Sequence, residues 1–280
     1  MYMGKNNKNI EFDRIGVAGC GRMGAPMAQN LINAGFNVAG LDILEDRFFG
    51  KLAPIMTDAI TFASGCRVVI SVVRDKLQTE ELLFSEQAII RREPCSIHTI
   101  VICSTLSPRY LLGLRNRLPK SITLVDAPMS GASIAAEEGR LSFMLGGEKD
   151  VLNRLNPLFS AMGKYIHHVG PFSSGMTAKV LNNFCAATSI ASTRIVLDWA
   201  LELGIDRSAL LAILNDSSGQ NWVSSNFEEL EFARDGYDPN NTIGIVAKDL
   251  LSLFENISRE ELEGLPNALL DEINNMRPMK

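Results

Sequence analysis

The chain is poor in the side chains that build metal centres and disulfide frameworks. Its five cysteines, Cys20, Cys66, Cys95, Cys103 and Cys185, are scattered, odd in number and form no C-x-x-C. A disulfide scaffold is therefore not expected, and a reducing, cytoplasmic setting fits. The three histidines, His98, His167 and His168, share no ligand-like spacing with cysteines or acidic clusters, so no metal site is expected. There is no long basic run, and the formal net charge is −5. That argues against nucleic-acid binding through a broad positive surface. No apolar stretch is long and unbroken enough to suggest a membrane span. Residues 1–11 lack the apolar core of a signal peptide and read as a polar tail. Internal repeats and low-complexity segments are also missing. The 280 residues are 46% hydrophobic, enough for a sizeable core in two ordinary domains or one large one.

The chain is organised around residues 15–42. An apolar run, Ile15 to Ala18, leads into Gly19-Cys20-Gly21-Arg22-Met23-Gly24, a G-x-G-x-x-G. A helical stripe of Met27, Ala28, Leu31 and Ile32 follows and ends at Gly35. Phe36 to Leu41 reads as a second strand, closed by Asp42. This order of strand, glycine turn, helix, strand and acid is what a dinucleotide-binding unit requires. Gly19 permits the tight turn, Gly21 lets a pyrophosphate approach the backbone, and Gly24 lets helix and sheet pack closely. The helix N-terminus supplies positive potential for phosphates. Asp42 would accept the ribose hydroxyls and repel a 2′-phosphate, favouring NAD, while nearby Arg47 keeps NADP open.

Beyond Asp42, strands and helices alternate. Val68–Val73 reads as a buried strand followed by Arg74. His98–Cys103 is another, followed by Ser104-Thr105, and Pro108 opens a helix. Leu124-Val125-Asp126 begins a further strand. Leu141–Leu145 reads as a late strand, Val151–Met162 as a helix and Tyr165–Val169 as a last strand. The alternation predicts an α/β fold with a doubly wound, mostly parallel sheet over residues 12–171. From about Ser173 to Gly204 the pattern predicts one long helix, roughly 30 residues and about 45 Å, apolar nearly all round and buried on most sides. Shorter helical patterns at Arg207–Leu214, Val223–Phe232 and Ile243–Phe254, then a charged C-terminal helix, predict an all-helical domain over 172–280.

Gly175, Lys179 and Asn183 are spaced by four and so share one face of the long helix. Lys179 sits among Met176, Ala178, Val180 and Leu181. Apolar surroundings disfavour an ammonium, the condition for acid–base work by lysine. A lysine snorkelling at the end of a helix is the plain alternative. Ser130-Gly131-Ala132, after Pro128, offers a hydroxyl and backbone donors to a small carboxylate, or is an ordinary glycine turn. Lys248-Asp249 opens an apolar segment and by itself reads as a solvated charge pair.

Four blocks together, GVAGCGRMGAPMAQNL with its distal Asp42, DAPMSGASIAAEEGRLSFMLGG, GMTAKVLNN and KDLLSL, with CSTLSP between, resemble the β-hydroxyacid dehydrogenase family. That family includes 3-hydroxyisobutyrate dehydrogenases, tartronate semialdehyde reductases and, more distantly, 6-phosphogluconate dehydrogenases. The likeness runs from about residue 14 to 255. It implies a Rossmann domain, a helical second domain and NAD(P)-dependent oxidation of a small 3-hydroxy acid or reduction of its semialdehyde. By position it implies Lys179 as catalytic acid–base assisted by Asn183, and Ser130, Gly131 and Ala132 at the substrate carboxylate. Gly19, Cys20, Gly21, Arg22, Met23, Gly24, Asp42, Val73, Arg74, Thr105 and Lys248 would contact the cofactor. It further implies a homodimer or homotetramer. The family often has Leu-Pro where this chain has Val73-Arg74, and a second glycine in place of Ala132. Relatives usually continue beyond the position of Lys280 with a final helix and a glycine-containing tail, which bears on oligomer geometry. Alternative readings are an NADPH-dependent semialdehyde reductase of tartronate or succinic type, and a non-catalytic dinucleotide-binding scaffold. Imine reductases share the architecture but usually lack the lysine. The loop Ser217–Trp222 is a candidate wall of the substrate pocket.

Overall fold

The computed structural model describes residues 12–279; the polar tail expected at 1–11 lies outside them. The chain forms two compact units, one up to Lys179 and one from Val180 onward.

The first unit runs β1 (Ile15–Ala18), α1 (Gly24–Asn33), β2 (Val38–Leu41), a 3-10 stretch (Asp46–Ile55), α2 (Ala59–Gly65), β3 (Val68–Ser71) and α3 (Lys76–Phe84). It continues with β4 (Thr99–Ile102), α4 (Pro108–Arg117), β5 (Thr123–Asp126), β6 (Met129–Ser130), α5 (Ser133–Glu137), β7 (Leu141–Gly146), α6 (Lys149–Met162) and β8 (Gly163–Gly170). Helix starts are chemically marked: the side chains of Asp58, Asp75 and Ser107 accept hydrogen bonds from the first-turn amides of α2, α3 and α4. Every residue of β1 to β4 is buried, as expected for strands covered on both faces. Alternate residues feed two cores: Ile15, Val17, Val68 and Ile70 on one face, Ala18, Val69, Ile100 and Ile102 on the other.

The strand order is β2-β1-β3-β4-β5-β7-β6, with β8 on the far side of β7. β1 to β5 are parallel, in line with the sequence pattern. The sheet is mostly parallel, as expected; the exception is β7, which runs antiparallel to both β5 and β6, while β8 is parallel to β7. The stretch between β5 and β7 is spent on β6 and the short α5, so the chain folds back beside itself instead of crossing over. The order reverses at β1, with β2 on one side and β3 on the other. In such sheets that is where a crevice opens at the carboxyl ends of the strands.

The second unit is helical. Helix α7 (Ser174–Glu202) begins in the first unit and continues into the second. α8 (Arg207–Asn215), α9 (Trp222–Asn226), α10 (Thr242–Phe254) and α11 (Leu265–Asn274) follow, and no strand occurs among the described residues from Val180 onward. Ala187, Ile190, Leu197, Ile243, Leu250 and Ile273 form its core. Two expectations are corrected here. α7 is not buried on most sides, because Leu181 and Trp199 are half exposed; its buried stripe mixes Val180, Ile190 and Leu197 with the small Ala187, Ala191 and Ala200. The helix expected over Val223–Phe232 stops at Asn226. Beyond it, Phe227 and Ala233 still enter the core, but on turns, and the carbonyls of Ala233 and Asp235 go to the Arg194 guanidinium. No described helix is long and apolar enough to cross a membrane.

Candidate active site

The turn from β1 into α1 assigns each fingerprint glycine a separate task. Gly19 has φ +87°, and a Cβ on it would meet the backbone of Val72 and Val73 at 2.8 Å. A Cβ on Gly24 would lie 1.9 Å from the Gly19 carbonyl oxygen. A Cβ on Gly21 would meet nothing within 4 Å. Gly19 and Gly24 are thus required by the protein's own packing, whereas Gly21 fronts open space that a side chain would fill. Gly24→Ala should destabilise the protein by about 3 kcal/mol through backbone overlap. Gly21→Ala should leave the melting temperature unchanged and weaken dinucleotide binding about tenfold, or ~1.4 kcal/mol. Thermal melts beside a fluorescence titration with NADH separate the two.

No side chain caps α1, and its first turn holds no acid, so its positive end is uncompensated from within the helix. Asp42 stands at the end of β2. Its carboxylate accepts from the amide of Cys20 at 2.7 Å, and from those of Ile43 at 2.8 Å and Leu44 at 3.2 Å. It therefore ties the glycine turn to the neighbouring strand end. The Cys20 thiol is buried and pushed up to about 12, first by burial and then by the Asp42 charge, so it is an inert packing group. Beside Asp42 lies an open cavity of about 720 Å³, lined among others by Asp42, Asp46, Asp58 and Glu86. The glycine turn, the uncapped helix and the strand-end acid fit a dinucleotide in the usual way.

Val73 and exposed Arg74 follow β3, beside the glycine turn. The Arg74 amide donates to the Gln78 side chain at 2.9 Å. Thr105 follows β4, next to Ser104, whose hydroxyl donates to the Val73 carbonyl at 2.5 Å. Ser130 lies in β6, opposite Ser142 of β7. Gly131 is exposed with φ +132°, and Ala132 precedes α5 without offering a capping side chain. Arg22, Met23 and Gly21 complete the turn, with Arg22 and Gly21 exposed.

Helix α7 enters against this same edge. Gly175 packs so tightly on β7 that a Cβ would sit 2.2 Å from the Met144 carbonyl oxygen. Lys179 comes one turn later and is buried, at 8% exposure, so it does not snorkel into solvent. Asn183 follows at the next turn, within the second unit. Its amide donates to Asp249 Oδ2 at 2.6 Å, and Lys248 Nζ lies 2.9 Å from Asp249 Oδ1. Lys248 is not a fully solvated charge pair, because its partner Asp249 is 3% exposed. Asn221, in the proposed pocket-wall loop, is occupied in capping α9 and in hydrogen bonds with Thr193.

Residues 14–170 match the model of the NAD binding domain of 6-phosphogluconate dehydrogenase. Residues 173–269 match the model for NAD-binding of NADP-dependent 3-hydroxyisobutyrate dehydrogenase. The chain is 32% identical over 215 residues to an NAD-dependent L-serine dehydrogenase of Pseudomonas aeruginosa, covering 75% of this chain and 72% of that protein. The chain belongs to the β-hydroxyacid dehydrogenase family. It is also 32% identical to a 3-hydroxyisobutyrate dehydrogenase of the same organism, covering 75% and 71%. Its fold is similar to a 3-hydroxyisobutyrate dehydrogenase of Mycobacterium tuberculosis, solved with L-serine, with TM-score 0.75 and 22% identity over 94% of this chain and 91% of that one.

Two acids of this dehydrogenase escape a reading by spacing. Asp126 accepts amide hydrogen bonds from residues 47 and 50 positions away, and Asp249 from a side chain 66 positions away. The only local signal is a carboxylate set against apolar neighbours, Leu124-Val125 before Asp126 and Leu250-Leu251 after Asp249.

Proposed function

We propose that Lys179 is the acid–base of an NAD(P)-dependent oxidation of a small 3-hydroxy acid, and that Ser130 and the Gly131 backbone hold the substrate carboxylate. Within this family the chain is an oxidoreductase acting on CH–OH. The observation that carries the assignment is a buried lysine one turn beyond Gly175, on a helix that leans on β7, the strand that also pairs with Ser130. The domains we assign are 12–171 for the dinucleotide and 172–280 for the helical part.

Lys179 accepts the hydroxyl proton as the carbinol carbon becomes a carbonyl, and returns it in the reverse direction. Its burial keeps bulk water from competing for that proton. Asn183, held by Asp249, presents its amide along the same helix face. The Ser130 hydroxyl and Gly131 amide suit a carboxylate, and the positive φ of Gly131 is the conformation that leaves this loop free of a side chain there. The bound nicotinamide supplies the hydride acceptor. Gly19 to Gly24, Asp42, Val73, Arg74 and Thr105 are the residues we assign to hold it, with Lys248 as a further contact.

The acids beside the Asp42 cavity favour NAD over NADP. A 2′-phosphate brought there meets like charge, which costs several kcal/mol across an interface. NADP⁺ should bind about 100-fold more weakly than NAD⁺, ~2.7 kcal/mol, and Asp42→Ala should narrow that gap about tenfold. Equal affinities in the unaltered protein would refute the preference. For the substrate, absorbance of the reduced nicotinamide is followed with 3-hydroxyisobutyrate, L-serine, glycerate, 3-hydroxypropionate and threonate. A Lys179-dependent signal with one of them identifies the acid; none with any, while NADH still binds, removes the small-3-hydroxy-acid reading. A homodimer or homotetramer is the expected assembly, supported by exposed Trp199, Leu203, Ile213 and Trp222 and measurable by light scattering. Five free thiols accord with work in a reducing cytoplasm.

A further inference from the structure

We propose that Asp126 is a positioning residue of this reaction: its carboxylate fixes the start of α7, and with it Lys179, against the sheet edge from which the substrate loop departs. The proposal rests on Lys179 being the acid–base.

Asp126 ends β5 and is completely buried. Both its oxygens are engaged by the beginning of α7: Oδ1 accepts from the Ser173 amide and Oδ2 from the Met176 amide, each at 2.7 Å. A buried anion is costly, and burial pushes this carboxyl up while the Met176 and Ser173 amides pull it back. The helix start answers that cost with amide donors and the positive end of a 29-residue helix. The neighbourhood leaves little freedom. A Cβ on Gly146, the residue paired with Asp126 across β5 and β7, would lie 2.3 Å from Asp126 Oδ1. A Cβ on Gly175 would overlap the Met144 carbonyl. Ser173 is held at φ +79°, a left-handed conformation that a serine adopts only when its surroundings dictate it. Its hydroxyl also donates to the Pro108 carbonyl at 3.3 Å. Met176 is fully buried and its sulfur accepts from the Leu106 amide at 3.3 Å.

Lys179 lies three residues beyond Met176, about 5 Å further along the axis. Ser130 lies four residues beyond Asp126 along the chain. One carboxylate thus fixes the origin of both segments, the one carrying the proton-transfer group and the one assigned to the substrate carboxylate. Asparagine in its place has the same shape but only one acceptor oxygen. Its NH₂ group would face one of the two helix amides, donor against donor, and push the helix start away. Displacements near 1 Å at a reacting group cost on the order of 100-fold in rate.

The test is steady-state kinetics on the hydroxy acid that the panel identifies. Asp126→Asn should lower kcat about 30- to 100-fold, with the NADH dissociation constant within about twofold and far-UV dichroism unchanged; Asp126→Ala should lose more. Gly175→Ala keeps the carboxylate but lifts the helix start, and should reproduce the kcat loss with cofactor binding retained. In a Lys179→Ala background, Asp126→Asn should cost far less than its roughly 30- to 100-fold effect in the unaltered protein, because the proton-transfer group is gone and only the Ser130 segment remains to be positioned. Several results overturn the proposal: Asp126→Asn turning over at the unaltered rate, its penalty multiplying undiminished onto Lys179→Ala, or losses in both variants that merely follow the unfolded fraction. Unchanged turnover in Lys179→Ala itself would instead remove the acid–base reading and the proposal with it. A large loss in Lys179→Ala beside a normal Asp126→Asn removes the positioning role alone.

Discussion

Lys179→Ala lowers kcat about 1,000-fold, ~4 kcal/mol of barrier, and leaves NADH binding within about twofold. Without the amine, the proton of the substrate hydroxyl must leave to water in a place from which water is largely excluded. Lys179 is only 8% exposed, so its truncation leaves an enclosed space that an added small amine can fill. The glycine turn of residues 19 to 24 and Asp42, to which we assign the dinucleotide, depends on contacts among β1, β2 and β3 and not on this side chain. Stopped-flow measurement of nicotinamide reduction, with the dissociation constant from a fluorescence titration, reads both quantities. Exogenous methylamine should restore part of the lost rate. A kcat within tenfold of the unaltered protein would exclude Lys179 as the acid–base.

Arg194→Met lowers the melting temperature by roughly 6–10 °C, corresponding to about 3 kcal/mol. Arg194 is 4% exposed in the middle of α7 and donates to three backbone carbonyls of the second unit: Ala233 at 3.0 Å, Asp235 at 2.7 Å, and Arg277. Burial pushes the guanidinium pKa down, while the charges of Asp198 and Asp235 push it back up. Methionine matches the stem and leaves three carbonyls without their donor, each a desolvated acceptor. Arg194→Lys should recover little, because a single ammonium cannot span carbonyls that a planar fork reaches together. Calorimetry of both variants checks this, and a shift under 2 °C for Arg194→Met would refute the role. The apolar residues of Val223–Phe232 have helical spacing, but α9 stops at Asn226, and further on the carbonyls of Ala233 and Asp235 accept from Arg194.

Much of the architecture follows from local chemistry. Alternation of β-branched runs with helical stripes is enough to anticipate β1 to β5, and the G-x-G-x-x-G with Asp42 is enough to anticipate the turn from β1 into α1 and the acid after β2, because these patterns are local in the chain. The 29-residue α7 is equally legible, since no breaker interrupts it. Lys179 is singled out by the likeness of GMTAKVLNN to the family; its apolar neighbours and four-residue spacing from Gly175 and Asn183 alone leave a snorkelling lysine open.

What the chain could not declare was direction and partnership across long separations. That β7 runs antiparallel depends on β6 folding against it, since the apolar pattern of a strand is the same in either direction. That Leu181 and Trp199 face outward depends on which stripe of α7 finds a core. Asp126, Arg194 and Asp249 read as ordinary charges in the sequence and become fixed points only when backbone or side-chain groups 39 to 83 positions away are brought to them. A periodic pattern reports which face of a segment avoids water. Which buried donor meets which buried acceptor is decided only once the elements have packed, because the cost of leaving either unpaired arises there and nowhere in the extended chain.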